Sequence, residues 1–341
     1  MRVLTLRKLN RTLLLRQLLL RRERLSPTRG IERLAALQAQ WVPSPYIGLW
    51  SRLEGFEREQ LTRALRREQV VKGALMRGTL HLVSARDYPL YATALRKEVA
   101  PWSNGRPKPS RELIAAVRTH VGREPRAAKE LVAFLEEHRG SADEVENLRD
   151  LAWLRHLIPL EPMPNAAEWG FTRGVRFRAA TFRRPPLADA LGHLVKRYLA
   201  AFGPATRADL ASWSGQLLKT LDPALESTRL RRFADEQGRE LIDLPRAPLA
   251  DGDEQAPIRF LSRWDELLIA HADRSRVLPE EHAVRKLVLG GAPTVLVDGF
   301  VAGTWKLGRG RVVVEPFAPL PRKAKRELGE EAERLGAFLA A

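Results

Sequence analysis

Val70-Val71-Lys72-Gly73-Ala74-Leu75-Met76-Arg77-Gly78-Thr79-Leu80-His81-Leu82-Val83-Ser84 is the stretch on which the fold turns. Two apolar runs, 70–76 and 79–84, flank Arg77-Gly78, and a glycine-bearing dipeptide between such runs reads as a β-hairpin. In the second run Leu80 and Leu82 share one face, which leaves Thr79 and His81 on the other. Upstream the period changes to that of a helix. Residues 57–68 place Leu61 and Leu65 on one side and Arg58, Arg63, Arg66 and Arg67 on the opposite side. Before them lie a short helix over 46–53, a helix from Gly30 to about Gln38 carried by Ile31, Leu34 and Leu37, and a first helix over 9–24. Asn10 is the expected N-cap of that first helix, with Leu13, Leu14 and Leu18 inside and Arg11, Arg21 and Arg22 outside.

Helices leading into a two-stranded ribbon are the outline of a winged helix, and the outline recurs twice. After a helical segment over 86–102 and the linker Asn104-Gly105-Arg106-Pro107-Lys108-Pro109, two helical segments fill 110–138 and a third 143–155. A run at 157–160 and a hairpin over 169–182, turning at Arg173-Gly174, follow. There Val175, Phe177 and Ala179 alternate with Arg176 and Arg178. Beyond Pro185-Pro186 come a helix over 187–201 and Thr206-Arg207-Ala208-Asp209, a capping box opening a helix through Trp213. A helix over 215–221 should stop before Pro223, and a ribbon over 229–234 and 239–244 turns at Glu236-Gln237-Gly238. The end of the chain differs. Runs at 294–297, 300–307 and 311–316 form a meander turning at Asp298-Gly299 and Gly308-Arg309-Gly310, closed by an amphipathic helix over 323–339 that buries Leu328, Leu335 and Phe338. The expected class is α+β, mainly helical: winged helices over 1–103, 110–184 and 187–262, then a small antiparallel β-meander with a closing helix over 263–341. The three units show no alignable sequence repeat, so this division rests on pattern together with the resemblance given below.

Composition bounds the function. At 341 residues the chain exceeds one ordinary core. Its 44% apolar and 29% charged residues are those of a folded, soluble protein. The formal charge is +17, and the first 100 residues hold 20 Lys and Arg against 8 Asp and Glu. Such a skew suggests a polyanionic partner, although an arginine-rich composition alone is the blander account. There is no cysteine, which removes disulfides, thiol nucleophiles and cysteine-held metals and fits a reducing cytoplasm. The run Leu13-Leu14-Leu15 is cut by Arg16 and is too short for a membrane span or signal. A cytoplasmic protein with no membrane association is expected. Seven scattered histidines give no metal spacing, and there is no phosphate-binding glycine loop, so neither metal nor cofactor is expected.

Chemistry centres on Leu37-Gln38-Ala39-Gln40-Trp41-Val42-Pro43-Ser44-Pro45. The two prolines stop the preceding helix, and only in extended backbone do residues two apart point the same way. Gln38 and Gln40 converge on one ligand there; by spacing alone, a frayed helix end remains the alternative. Together with Leu13 to Leu20, Tyr46-Ile47-Gly48-Leu49-Trp50-Ser51-Arg52-Leu53, Leu75 to Leu82, Trp264-Asp265-Glu266-Leu267-Leu268, Asp273-Arg274-Ser275-Arg276, Val295-Leu296-Val297-Asp298-Gly299 and Gly303-Thr304-Trp305, this stretch resembles the winged-helix DNA-binding family that contains the AlkZ-type and YcaQ-type alkylpurine DNA glycosylases. Gln38-Ala39-Gln40 matches the Gln-x-Gln of the AlkZ side, although Ala39 is smaller than the bulky apolar residue expected between the two glutamines.

The resemblance implies a monofunctional glycosylase that hydrolyses the N-glycosidic bond of cationic N3- or N7-alkylated purines in duplex DNA, bulky adducts and crosslinks included, in repair or self-resistance. It implies a monomer, with Gln38 and Gln40 as the catalytic pair. A side-chain amide has no useful pKa and cannot act as a general base. It suffices when the base already carries positive charge and leaves neutral, because positioning a water and opposing a developing cation are then the remaining tasks. Arg77, Thr79 and His81 suit contacts to a groove or phosphates, with a solvated hairpin tip as the equal alternative. Arg52, with Tyr46 and Trp50, could line the same site, Trp50 fitting the core better. Arg274 and Arg276 are candidate phosphate contacts near His271, whereas Asp265 and Asp273 pairing with Arg263 and Arg274 to fix a junction is the favoured alternative there. A non-enzymatic DNA binder, a regulator or a lesion shield, is the runner-up for the whole chain.

Overall fold

The computed structural model describes residues 1–95, 111–122, 124–137, 160–161, 176–179, 181–279 and 290–341. Helices outweigh strands throughout. The chain opens with strand β1 (Arg2–Leu4) and helix α1 (Leu6–Arg16), whose N-cap Thr5 accepts a hydrogen bond from the Lys8 N–H. The expected span of 9–24 is therefore corrected at both ends. Asn10 is not the cap; its amide donates to the carbonyls of Arg276 and Gly299 at 2.6 and 2.8 Å. Leu18 takes the left-handed conformation (φ 56°), which ends the helix and turns Leu19 and Leu20 into the core. Arg11, expected outside, is fully buried, with its Nε on the Glu254 carbonyl at 2.7 Å and its guanidinium paired with Asp298.

Helix α2 (Pro27–Arg33) starts from Ser26 as cap with Pro27 in its first turn, and ends well short of Gln38 because Ala35 has φ 68°. That early end frees Leu37–Gln38 to form strand β2. Helices α3 (Ser44–Arg52) and α4 (Arg58–Arg66) follow, then the hairpin of β3 (Val70–Ala74) and β4 (Leu80–Ser84), turning through Arg77 and Gly78 as expected. Leu61 and Leu65 of α4 are buried while Arg63, Arg66 and Arg67 face solvent. Strand β4 lies between β2 and β3, with Leu37 opposite Leu82 and Gln38 opposite His81. The sheet continues through β6 (Leu160–Glu161), β7 (Arg176–Phe177) and β5 (Arg126–Ala127), beside which α6 (Arg111–Val121) and α7 (Ala128–Glu137) pack through Val117, Leu131 and Phe177. The expected helix over 143–155, the linker over 104–109, the turn at Arg173-Gly174 and the end of the 86–102 helix lie outside the described residues; its beginning is α5 (Tyr88–Ala94).

Helix α8 (Leu187–Phe202) is the centre of the main core, with Leu191, Leu194, Val195, Tyr198, Leu199 and Phe202 all buried. Each such side chain contributes about 1.5–3 kcal/mol of gross burial energy. Helix α9 (Arg207–Ser214) carries the expected capping box of Thr206 and Asp209. Helix α10 (Leu218–Ser227) runs through Pro223, contrary to the expected stop. Burial of Leu221, Ala224 and Leu225 offsets the one backbone bond that proline removes. Strands β8 (Arg231–Asp235) and β9 (Glu240–Asp243) form the third ribbon, and β1 pairs with β8 in parallel. Strand β10 (Arg259–Leu261) joins β11 (Thr294–Val297), β12 (Phe300–Gly308) and β13 (Arg311–Pro316) in a four-stranded antiparallel sheet. Short helix α11 (Glu266–Ile269) follows β10, and α12 (Arg322–Ala340) closes that sheet through Leu335, with Phe338 stacked 5.8 Å from Trp50 of α3. Leu13, Leu75, Leu194, Leu267 and Leu296 all belong to one cluster, so the first, third and last sequence segments share a core.

Asp87, at the start of α5, joins that helix to α8 through Arg197 (2.5 Å) and His193 (3.3 Å). Burial alone would raise its carboxyl; the close approach of His193 and Arg197 and the Arg197 charge outweigh it and hold the value at about 2. A depressed folded value means stability that is present above the ordinary carboxyl range and lost as pH falls through about 2. Asp87→Asn should therefore melt below the wild type at pH 5, and the gap should shrink steadily as the pH is lowered from 4 towards 2. A gap that stays constant over that interval would show that the pair does not carry the linkage.

Candidate functional site

The β2–β4 register builds the site. Gln38 faces His81 across the ladder, and one further bond, Ala39 N–H to the Leu80 carbonyl at 2.7 Å, carries the same register past the end of β2. By the two-residue period Gln38 and Gln40 then share a face with His81 and Thr79, while Leu37, Ala39 and Leu82 point into a core. The small Ala39 is fully enclosed there. Gln40 is exposed, and its Oε1 accepts the Leu80 N–H at 3.1 Å. Gln38 lies beneath, 7% exposed, and its Oε1 is buried without a hydrogen-bond partner.

Against this face packs a buried ionic group. Glu266 Oε1 accepts from His81 Nε2 at 2.9 Å and from Arg77 Nη2 at 3.3 Å, and Oε2 from Trp213 Nε1 at 2.8 Å. Burial would raise the Glu266 carboxyl, but the Arg77 charge and the bonds from His81 and Trp213 leave it lowered. The second His81 nitrogen, Nδ1, meets the Thr79 carbonyl at 2.9 Å. Arg77 adopts φ 53° and donates to the Trp213 carbonyl at the end of α9, where Gly215 (φ 73°) lies so close that a Cβ would come within 3.2 Å of Arg77 Cα.

Segment 258–266 underlies the other side. Ser44 Oγ donates to the Arg263 carbonyl at 2.9 Å, the Arg263 guanidinium sits 5.1 Å from the Trp41 ring, and Arg52 makes a two-point pair with Asp265 at 2.7 and 2.9 Å.

Three expected DNA contacts are corrected by burial. Arg52 and His81 have no exposed surface, and Arg276 is 6% exposed, with its Nη1 on the Pro204 carbonyl at 2.6 Å. Their polar atoms serve the interior. Arg77, Thr79 and Arg274 are half-buried and keep some surface. The expected junction pairs are also exchanged: Asp265 takes Arg52 in place of Arg263, and Asp273 takes Arg239 in place of Arg274, at 2.6 Å. His271 is buried, its Nε2 on the Phe202 carbonyl, and burial lowers it to about 4. Glu266 was missed as a partner of the site. In the sequence it stands only as part of Trp264-Asp265-Glu266-Leu267-Leu268, a carboxylate heading an apolar run, with nothing to link it to the glutamines.

Fold and site together define a basic helix-and-ribbon protein whose polar face offers neutral amides backed by an internally neutralised carboxylate. The AlkZ-like DNA glycosylase family matches residues 31–338, and the chain belongs to that family. It is thus a DNA glycosylase, a hydrolase of N-glycosyl bonds. A curated relative, the interstrand DNA cross-link repair glycosylase of Streptomyces sahachiroi, is 26% identical over 348 positions, covering 93% of this chain and 92% of its own. The solved structure of Streptomyces sahachiroi DNA glycosylase AlkZ superposes with a TM-score of 0.82 at 24% identity, over 98% of this chain and 97% of that one. Among the described residues no helix is long and apolar enough to cross a membrane.

Removing one member of a buried pair leaves an uncompensated charge, at a cost of about 3–5 kcal/mol. Arg52→Ala should lower the urea-unfolding free energy by an amount in that range while leaving the salt dependence of DNA binding unchanged. Wild-type stability with a salt slope reduced by about one would instead mark a phosphate contact.

Proposed function

We propose that the substrate is duplex DNA carrying purines made cationic by alkylation at N3 or N7, and that Gln38 and Gln40 perform the hydrolysis. The observation that carries this reading is the buried, unpartnered Gln38 Oε1 beside Gln40, whose own Oε1 is held by the Leu80 N–H. Gln38 then offers an acceptor and Gln40, through its Nε2, a donor. A water that donates to the first and accepts from the second keeps one lone pair free for C1′. As the C1′–N bond breaks, its electron pair neutralises the cationic base, which leaves without needing an acid. The water oxygen bonds to C1′, and its proton passes to solvent. The amide dipoles, fixed before the reaction, oppose the charge developing on the sugar.

Bulky adducts, crosslinks included, belong to the same reading, supported by a relative named for crosslink repair. So does the organisation as three winged helices followed by the meander, over 1–103, 110–184, 187–262 and 263–341. It is supported by the order α2, β2, α3, α4, β3, β4, a helix–strand–helix–helix–ribbon sequence in which β2 adds to the ribbon. Arg77, Thr79 and Arg274 are the DNA contacts proposed, and the protein acts as a cytoplasmic monomer.

Single-turnover release of 7-methylguanine and 3-methyladenine from methylated duplex tests this. Gln38→Ala and Gln40→Ala should each slow release by about 100-fold or more with folding intact. Wild-type rates in both would remove the pair from the mechanism. Affinity should fall by at least about tenfold between 50 and 200 mM salt, since phosphate contacts release counterions. A flat salt response would contradict binding through DNA phosphates.

A further inference from the structure

Residues 39–43 connect strand β2 to helix α3, and two consecutive carboxylates from a distant part of the chain brace both ends of that connection. Asp265 holds Arg52 of α3, on the far side of the Gln-x-Gln segment. Glu266 holds the hairpin at two points, one in its turn and one in β4, the strand against which β2 is registered. The first is His81, the cross-strand partner of Gln38, whose ring is gripped at both nitrogens, by Glu266 and by the Thr79 carbonyl. The second is Arg77, two residues before Thr79 in a left-handed conformation that an arginine rarely takes. Its side chain is drawn inward to Glu266 and to the Trp213 carbonyl, and Gly215 presses on its backbone. Between these two points lies Leu80, whose N–H fixes the Gln40 amide and whose carbonyl fixes Ala39. Both oxygens of the buried Glu266 are filled by His81, Arg77 and Trp213, so it meets no ligand directly and acts only through its partners.

We propose that Glu266 is a positioning residue for glycosidic cleavage: through His81 and the Arg77 turn it sets β4 against β2 and thereby fixes the two amides of Gln38 and Gln40. This rests on the reading of that pair as the catalytic groups. A carboxylate is required because both oxygens face donors, on three different side chains. A glutamine of the same size would turn its NH2 towards a donor on one side and release either Trp213 or the His81–Arg77 side.

The experiment is single-turnover excision across a range of enzyme concentrations, with melting temperatures measured in parallel. Glu266→Gln should lower the saturating rate about 10- to 100-fold, as a small misplacement of reacting groups does, while the half-saturating concentration stays within about threefold of wild type. Leu194→Ala, a cavity in the core of α8, serves as the stability control and should lower the melting temperature without slowing the folded enzyme. In a Gln38→Ala/Gln40→Ala background Glu266→Gln should cost nothing further, because a residue that acts only through the two amides has nothing left to position. Wild-type rates in Glu266→Gln would overturn the proposal, and so would a full repeat of the loss in the background that lacks both amides. If Glu266→Gln does not fold, His81→Gln cuts the same link from the other end and is held to the same two criteria. Failure of the catalytic reading shows separately, as Gln38→Ala and Gln40→Ala proteins that excise at the wild-type rate.

Discussion

The Arg52 guanidinium makes four hydrogen bonds inside the protein: to the Gln17 carbonyl, the Gly48 carbonyl and both oxygens of Asp265. Neither member of the ion pair has appreciable surface. Two charges taken from water gain little net energy from each other, and their attraction chiefly repays desolvation. What the pair does supply is geometry, because a buried cation tolerates only the arrangement in which its fork is filled. The end of α1, the helix α3 and the segment after β10 are thereby fixed relative to one another. Once α3 and the β2–β4 pairing are both fixed, the short connection bearing Gln38 and Gln40 has little freedom left.

The same economy explains why net charge is a coarse guide here. A formal charge of +17 suggests a polyanion, yet Arg11, Arg16, Arg52, Arg259 and Arg276 are all buried. Arg16 pairs with Asp243, which also takes Arg231, and its remaining donors reach the Leu199 and Pro248 carbonyls. Guanidinium is weakly hydrated and planar, and can satisfy several carbonyls at once, so arginine enters an interior that would exclude lysine. An arginine on the polar side of a helical wheel is therefore not automatically a phosphate contact. Arg11, assigned outside from periodicity, shows this most plainly, since its neighbour Gly299 (φ 83°) leaves room for it that any side chain there would fill.

Local signals were read well. The hairpin at Arg77-Gly78, the capping box at Thr206, the central helix α8, the two turns of the meander and the closing helix all follow from turn chemistry or from a single period. Two kinds of feature were not legible. Helix ends set by left-handed Leu18 and Ala35 carry no glycine to announce them, so α1 and α2 were read too long. Pairings across long separations, β1 with β8 and β10 with β11, have no local signature, because register is chosen by the folded core. The site divides the same way. An extended backbone at Gln38 and Gln40 is expected from Pro43 and Pro45, three and five residues beyond Gln40, whereas the contact of His81 with Glu266 spans 185 positions and joins residues with no shared pattern.

A charged group and a dipole are not interchangeable in such a site. An ionised carboxylate facing the substrate would attract a cationic base in the ground state as well as in the transition state, and equal attraction to both leaves the barrier where it was. Glu266 is not available for this; its oxygens are filled by His81, Arg77 and Trp213, and the Arg77 charge offsets its own. The amide exposed on this face is that of Gln40, with Gln38 beneath it. A fixed carbonyl dipole acts at short range, so it responds most to charge that appears beside it. On the proposed mechanism that charge develops on the sugar only as the bond breaks. On that mechanism, neutralising the carboxylate internally and leaving the amides to meet the substrate favours the transition state over the bound adduct, to the degree that β4 holds them in place.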